Sequence, residues 1–380
     1  MNKQEITNEK ELHTKAQITK DVINDLHTCT RFRACLEACP VYTQGFTIEQ
    51  LNEATRKGRD IPFAIKEFTW SCMQCGRCIP VCPVKVRRDV MVRSLKHELR
   101  EEKPWGYKRY LLIRGPNLTR LPRIIQRVYA AGKKATHRDL ARFMEVRPTK
   151  PAEVLFYPGC YVYSDETVRQ TIRLLDHIGR PYAILGGMTT CCGTPHLLQG
   201  EFDRADECMR RLHEDIARVQ PSVIITACAE CYDAIAKIKA VYKEPYEVLS
   251  VVEYLVRHQD QFPRVKVTGD IVVHDSCRFS STTPAGKAAK QAAATFGTLV
   301  TAPSQQQTSC CSHWNHNQDS ANKHRRFAYL KEMRAAAPTL ACNCLTCYEE
   351  FNKLKSDINV IDIIELYIDA LDAHPSKENS

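Results

Sequence analysis

One pattern of cysteines is written twice in this 380-residue chain, and it constrains the fold more than any other feature. Cys160, Cys191-Cys192 and Cys228-Ala-Glu-Cys231 give C-x30-CC-x35-C-x2-C. Cys277, Cys310-Cys311 and Cys344-Leu-Thr-Cys347 give C-x32-CC-x32-C-x2-C, with corresponding cysteines offset by 116 to 119 residues. Single free cysteines are often buried as small hydrophobes, but repetition of a three-part spacing removes chance as the explanation of the set. Other features repeat with it. A β-type run precedes each first cysteine, at 154–157 and 271–274, and another, 223–226, precedes the first C-x2-C. A helix is expected after each unit, 248–255 matching 360–367. Strands alternating with helices predict a duplicated α/β module with small, mostly parallel sheets.

Ahead of the duplication stands Cys72-Met-Gln-Cys75-Gly-Arg-Cys78-Ile-Pro-Val-Cys82-Pro83. This is the C-x2-C-x2-C-x3-C-P run of bacterial ferredoxins, whose soft thiolates suit iron–sulfur clusters. Paired C-x2-C also fits zinc, but the terminal x3-C-P argues against it. An altered copy lies upstream, Cys29-Thr-Arg-Phe32-Arg-Ala-Cys35-Leu-Glu-Ala-Cys39-Pro40, with Phe32 where a second cysteine belongs. Crossing the ligands as two-cluster ferredoxins do assigns Cys72, Cys75, Cys78 and Cys39 to a 4Fe–4S cluster. Cys29, Cys35 and Cys82 are left for the other, and three thiolates point to a 3Fe–4S cluster. That C-x5-C-x3-C-P form resembles the 3Fe–4S site of the succinate dehydrogenase iron–sulfur subunit; a 4Fe–4S cluster with a non-protein fourth ligand is the rival. The Phe32 ring is expected to screen the open corner. Between the motifs, 51–58 reads as a helix stopped by Gly58, and another begins within 61–68. Residues 84–99 continue helically, with Met91, Leu95 and Leu99 on one stripe.

The charge is uneven. Of a net +10, residues 85–150 carry 19 Lys/Arg against 6 Asp/Glu, a belt that suits an anionic partner surface. Within it, Leu121, Ile124, Ile125, Val128 and Tyr129 follow helical spacing, flanked by Arg120, Arg123 and Arg127. Such a helix either lies in a membrane interface or packs on the protein as any surface helix does. The first 20 residues are polar, without a signal-peptide core, and no apolar run approaches a bilayer span. With 19 cysteines, the expected setting is a reducing cytoplasm, with room for peripheral contact at the membrane face.

Taken together, the motifs resemble the CCG (cysteine-rich) family. It includes the catalytic subunit of heterodisulfide reductase and the iron–sulfur subunits of glycolate, lactate and anaerobic glycerol-3-phosphate dehydrogenases. The resemblance implies a multi-domain α+β protein. A polar tail (1–24) precedes an α-helical two-cluster ferredoxin domain (25–105), a basic connector (106–150) and two CCG modules (151–262 and 263–375). It also implies two noncubane 4Fe–4S clusters, one on Cys160, Cys191, Cys192, Cys228 and Cys231, the other on Cys277, Cys310, Cys311, Cys344 and Cys347. Ser312 stands where the family has glycine, as at Gly193, and a serine there is expected to demand a different backbone geometry. Cys342 competes as a ligand, and Cys208 reads as helix packing.

No Gly-x-Gly-x-x-Gly fingerprint or Walker loop is present, so no flavin or nicotinamide is expected in this chain. Electrons must pass to or from a flavoprotein or other redox subunit; no nucleic-acid partner is expected. The resemblance implies an oxidoreductase subunit acting in a complex, for disulfide reduction or formation. The alternatives are a relay from a flavin-dependent hydroxy-acid or glycerol-3-phosphate dehydrogenase to quinone, with a quinone or membrane contact through the basic connector, and a redox sensor or scaffold without substrate. His196, His274, His313 and His316 lie near the motifs as proton donors or as structural hydrogen bonders, and His274, three residues before Cys277, is the leading catalytic candidate.

Overall fold

The computed structural model describes residues 14–112, 145–148, 150–159, 165–187, 190–302, 309–315 and 319–374. The connector stripe at 121–129, Cys160 and His316 lie outside them.

The front of the chain is helical. Helices α1 (Thr14–Thr28), α2 (Ala34–Glu37), α3 (Ile48–Lys57), α4 (Phe63–Ser71), α5 (Arg88–Glu98) and α6 (Trp105–Leu112) follow one another. Gly58 ends α3 in the left-handed conformation, as its sequence suggests, but α3 starts three residues earlier than the expected 51. A reciprocal capping box between Thr47 and Gln50 fixes that start. The expected helix over 84–99 begins only at Arg88, because the Cys82-Pro83 turn occupies the preceding residues. Leu36, Ile48, Leu51, Ile65, Val92 and Leu95 form the apolar centre of this part, with Cys39, Cys72, Cys75 and Cys78 packed against it.

Two sheets follow. The first has the order β1-β3-β2-β4-β5, built from Glu145–Val146, Val154–Gly159, Tyr182–Gly187, Val223–Thr226 and Glu247–Ser250, taking β1, β2, β3, β4 and β5 in chain order. Among the described residues, only its β1–β3 pair is antiparallel. The second has the order β7-β6-β8-β9, all parallel, from β6 (Asp270–Val273), β7 (Thr298–Val300), β8 (Thr339–Cys342) and β9 (Asn359–Asp362). The shared order β3-β2-β4-β5 and β7-β6-β8-β9 is the duplication read from the cysteines, now in topology. The strands are near-continuous apolar runs because both faces are covered. Phe156 and Ile225 face one core while Leu155, Tyr157 and Ile224 face another.

The expected helices at 248–255 and 360–367 are corrected. Each stretch opens as a strand, β5 or β9, and turns helical only afterwards, in α11 (Val251–Arg257) and α15 (Glu365–Ala373). The first apolar residues of each run pair with β4 or β8. A Ser250/Glu253 capping box then starts α11. The remaining helices are α7 (Asp165–Ile178), α8 (Thr194–Leu197), α9 (Phe202–Val219), α10 (Ala229–Tyr242), α12 (Pro284–Phe296), α13 (Asp319–Ala336) and α14 (Leu345–Asn352). Helices α11 and α12 close a common core between the sheets, which joins Val251, Val252 and Leu255 to Ala288, Ala292 and Phe296.

Candidate metal centre

Cysteine motifs sit where strands end. β3 runs out four residues before Cys191, β4 two before Cys228, β6 four before Cys277 and β8 two before Cys344. In parallel α/β sheets, ligands bind outside the carboxyl ends of strands, where loops converge. Cys228 and Cys344 are the N-caps of α10 and α14, so each C-x2-C turn opens a helix whose first N–H groups favour negative charge.

The second module gathers all five of its cysteines. Sulfur contacts run from Cys277 to Cys310, Cys310 to Cys311, Cys311 to Cys347 and Cys347 to Cys344. The first module gathers its four described members in the same way: Cys191 to Cys192, Cys192 to Cys231 at 3.7 Å, and Cys231 to Cys228. The two turns also meet. Leu345 N–H donates to Ala227 O at 3.1 Å, and Ala229 N–H donates to Cys344 Sγ. Cys342 lies buried at the end of β8, close enough to Cys344 and Cys311 for their charges to act on it, and burial pushes its thiol well up. Cys208 packs in α9 against Cys191.

In the ferredoxin part the cysteines fall into two crossed groups. Cys39 lies with Cys72, Cys75 and Cys78, and burial, reinforced by these neighbours, pushes its thiol up to about 12. Cys35 lies with Cys29 and Cys82. A cavity opens among Cys35, Cys39, Cys72, Cys75 and Cys78, with Arg88 in its wall. Arg88 is 3% exposed. It donates to Asn52 Oδ1 at 2.6 Å and to Cys29 Sγ at 3.6 Å, and its Nε has no partner. Among the described residues no carboxylate pairs with it. Asp25 lies within electrostatic reach of it without forming an ion pair. A buried charge without a direct partner is costly, so this guanidinium calls for a closer anionic neighbour, and Cys29, Cys35 and Cys82 are the candidates. At Cys29 burial is outweighed by hydrogen bonds from Asn52, the Arg31 backbone and Arg88, which bring the thiol below its ordinary value. Elsewhere Cys39, Cys72, Cys75 and Cys78 lie together in buried surroundings that raise their thiols, and four thiolates there would need a positively charged iron core to neutralise them. Among the described cysteines, the donor chemistry of each group fits iron–sulfur binding.

Comparison with known proteins agrees. Residues 21–83 match a 4Fe-4S dicluster domain, and residues 154–236 match the CCG cysteine-rich domain. This is an iron–sulfur protein. It is 25% identical, over 251 residues, to an uncharacterized iron–sulfur protein of Methanocaldococcus jannaschii, covering 61% of this chain and 48% of the relative. A similar uncharacterized iron–sulfur protein of Methanococcus maripaludis is 24% identical over 278 residues, 67% of this chain and 52% of the relative. The chain thus spans about half the length of these two curated relatives. It is also 22% identical over 299 residues to one subunit of the dihydromethanophenazine:CoB--CoM heterodisulfide reductase of Methanosarcina barkeri, 68% of this chain and 70% of that one. The iron–sulfur protein is therefore related, at low identity, to an oxidoreductase subunit. Among the described residues no helix is long and apolar enough to cross a membrane.

Two expectations about side chains need correction, for Phe32 and Ser312, and the setting of His274 is now defined. Phe32 is 64% exposed, so its ring projects to solvent and does not screen the three-cysteine site; Asn52 and Arg88 face Cys29 instead. Ser312 does not change the backbone geometry: its φ of 60° matches the left-handed region of Gly193 at 85°. It carries the strain, since Cβ crowds the following carbonyl there, and its buried Oγ has no partner. Ser312→Gly is therefore expected to stabilise this iron–sulfur protein by about 1 kcal/mol, read from anaerobic denaturant unfolding. The reverse change, Gly193→Ser, would drive a Cβ to 2.6 Å from Ala205 O and destabilise it. His274 is fully buried, with Nδ1 2.7 Å from the Tyr329 hydroxyl and Nε2 unpartnered, and burial pushes its pKa down to about 3.

Two of the other candidate histidines, His196 and His313, are engaged. His196 Nδ1 lies 2.7 Å from Glu201, and His313 Nδ1 lies 3.2 Å from Glu350. Sequence reasoning passed over Arg88, Arg278 and Glu230. Their one sequence signal is position: each lies within six residues of a motif cysteine, where a charge meets thiolates at short range.

Proposed function

We propose that the chain is the electron-transfer and disulfide-handling subunit of a larger redox complex, reducing or forming a disulfide beside its paired cysteine modules. The observation that carries this reading is the meeting of the two C-x2-C turns, where Ala229 N–H reaches Cys344 Sγ and Leu345 N–H reaches Ala227 O. Cleaving a disulfide takes two electrons and two protons, RSSR + 2e⁻ + 2H⁺ giving two thiols, and two one-electron centres side by side suit that demand. Cys160, Cys191, Cys192, Cys228 and Cys231 would hold one 4Fe–4S cluster and Cys277, Cys310, Cys311, Cys344 and Cys347 the other. Cys39, Cys72, Cys75 and Cys78 would hold a third, and Cys29, Cys35 and Cys82 a 3Fe–4S cluster. When bound, these supply one-electron transfer over a wide span of potentials.

The chain's own residues supply the setting. Apolar packing around Cys192, Cys231, Cys311, Cys344 and Cys347 excludes water from the paired sites. Arg88 holds positive charge beside Cys29, and the N-termini of α10 and α14 do the same at Cys228 and Cys344. Electrons would enter through the ferredoxin part from a flavoprotein or other redox subunit. The relationship to a heterodisulfide reductase subunit supports this direction of thought.

An anaerobic preparation is expected to hold about 15 irons per chain, from one 3Fe and three 4Fe clusters. Saturation near eight would leave the modules without the clusters assigned to them. The function itself is tested by reducing the loaded chain with a low-potential dye and adding either an aliphatic disulfide or a soluble quinone. Dye oxidation coupled to thiol release supports the proposal; oxidation by quinone alone sinks it in favour of a relay to quinone.

A further inference from the structure

A single ion pair touches three cysteine motifs at once. Glu230 lies between Cys228 and Cys231 of the first module, and Arg278 immediately follows Cys277 of the second. Arg278 Nε is 3.4 Å from Glu230 Oε1 and 3.7 Å from Asp233 Oδ2. The same guanidinium donates through its second terminal nitrogen to the backbone O of Gln74, at 3.4 Å, inside the ferredoxin run between Cys72 and Cys75. Trp314 Nε1 donates to Glu230 Oε1 at 3.1 Å, and Asn315 Nδ2 donates to Ser71 O at 2.8 Å, so the loop after Cys310-Cys311 is pinned to both other parts. Glu230 is 8% exposed. The sulfurs behind this ion pair are neighbours too. Cys310 packs against the ferredoxin core, and the charges of Cys277 and Cys310 both act on Cys75.

We propose that Arg278 is a positioning residue that docks the ferredoxin C-x2-C-x2-C turn on the second module, making that module the first to receive electrons, and that the Glu230–Arg278 pair sets its reduction potential. Resting on the electron-transfer reading above, this adds an order to it: one electron leaves the Cys39/Cys72/Cys75/Cys78 site and is gained at the Cys277 site, and the first module follows through the Ala229–Cys344 contact. A fixed cation beside Cys277 favours the reduced, more negative state, and a carboxylate opposes it. Arg278 stands directly next to Cys277, so the second module feels it most. Positioning and tuning come from one side chain.

The test uses the full chain, loaded anaerobically, with dithionite as reductant and no disulfide or quinone present, so that its outcome is independent of which acceptor is used. Reduction potentials are read by EPR-monitored titration for wild type, Arg278→Gln, Arg278→Lys and Glu230→Gln, with iron content as the loading control. Arg278→Gln is expected to lower the potential of a back-end cluster by a tenfold change in its one-electron equilibrium, about 59 mV, and to slow its reduction in stopped flow. Glu230→Gln is expected to raise that potential, and Arg278→Lys to keep it near wild type. Potentials that shift in the same direction for both Gln variants, or not at all, overturn the proposal, since a merely structural loss has no reason to change sign. Should Arg278→Gln fail to hold iron, Glu230→Gln decides alone: an unchanged or lowered potential overturns it.

Discussion

Gly200→Ala is expected to cost roughly 3 kcal/mol or more of stability and to loosen the ferredoxin part from the first module. Gly200 has a φ of 77°, and a Cβ there would lie 2.4 Å from His97 N and 2.6 Å from Lys96 C, both backbone atoms of α5. Backbone in a packed helix cannot step aside as a flexible side chain can. The seam that would open is dense. His97 Nδ1 donates to Gly200 O at 2.7 Å, its ring stacks on Phe202 with centroids 4.8 Å apart, Lys103 pairs with Glu201, and fully buried Lys96 reaches Gln199 at 3.4 Å. Gly179 supplies the control. Its φ is 73°, but a Cβ there meets nothing within 4 Å. Gly179→Ala should therefore cost only the left-handed backbone term, about 1 kcal/mol. Anaerobic denaturant curves and limited proteolysis of both variants check this. Equal losses at the two glycines would show that the seam with α5 contributes little.

Asp362→Asn is expected to stabilise the protein at pH 8 and to leave it unchanged near pH 4. Asp362 ends β9 and is 5% exposed. Burial raises its carboxyl from 3.8 to about 7, against the hydrogen bond from Ile364 N–H and with help from the charges of Glu365 and Glu349. Between those two values the folded chain keeps a proton that the unfolded chain gives up. Stability from this group therefore falls as pH rises from about 4 to about 7, by an amount on the order of 4 kcal/mol. Asparagine keeps an oxygen for the Ile364 N–H and carries no charge to bury, so the loss disappears. Denaturant midpoints of wild type and variant at pH 4, 6 and 8 decide it. A difference that is the same at all three would mean that Asp362 does not titrate in this range.

Much of the architecture was legible because the cysteines and the apolar runs are covalent facts of spacing. The duplication, the parallel sheets and the helical front end all follow from them, and the crossed grouping of Cys39 with Cys72, Cys75 and Cys78 recurs in space. The segments 248–255 and 360–367 each change from strand to helix partway along, too short a stretch for either period to show. The Ser250-x-x-Glu253 box was the overlooked signal that marks the change. Phe32 stands at the position of the missing cysteine, which places its ring over the open corner in sequence terms, but the ring faces solvent instead. Arg88 and Arg278 carry no sequence signal beyond their nearness to a motif cysteine. Nothing in one sequence separates a buried arginine from a solvated one, and each owes its role to partners far along the chain, Asn52 for one and Gln74 for the other.

The core that α11 and α12 close between the two sheets bears on how the protein is made. As the chain leaves the ribosome, α11 emerges with Val251, Val252 and Leu255 on a face whose cover, Ala288 to Phe296, is still tens of residues from completion. The first half must wait, with a sticky face showing, until the second has been translated. Neither half is therefore a portable part. A cell that inserts metal during synthesis would meet an unfinished first module, and loading after release, into the closed pair, is the order this geometry favours.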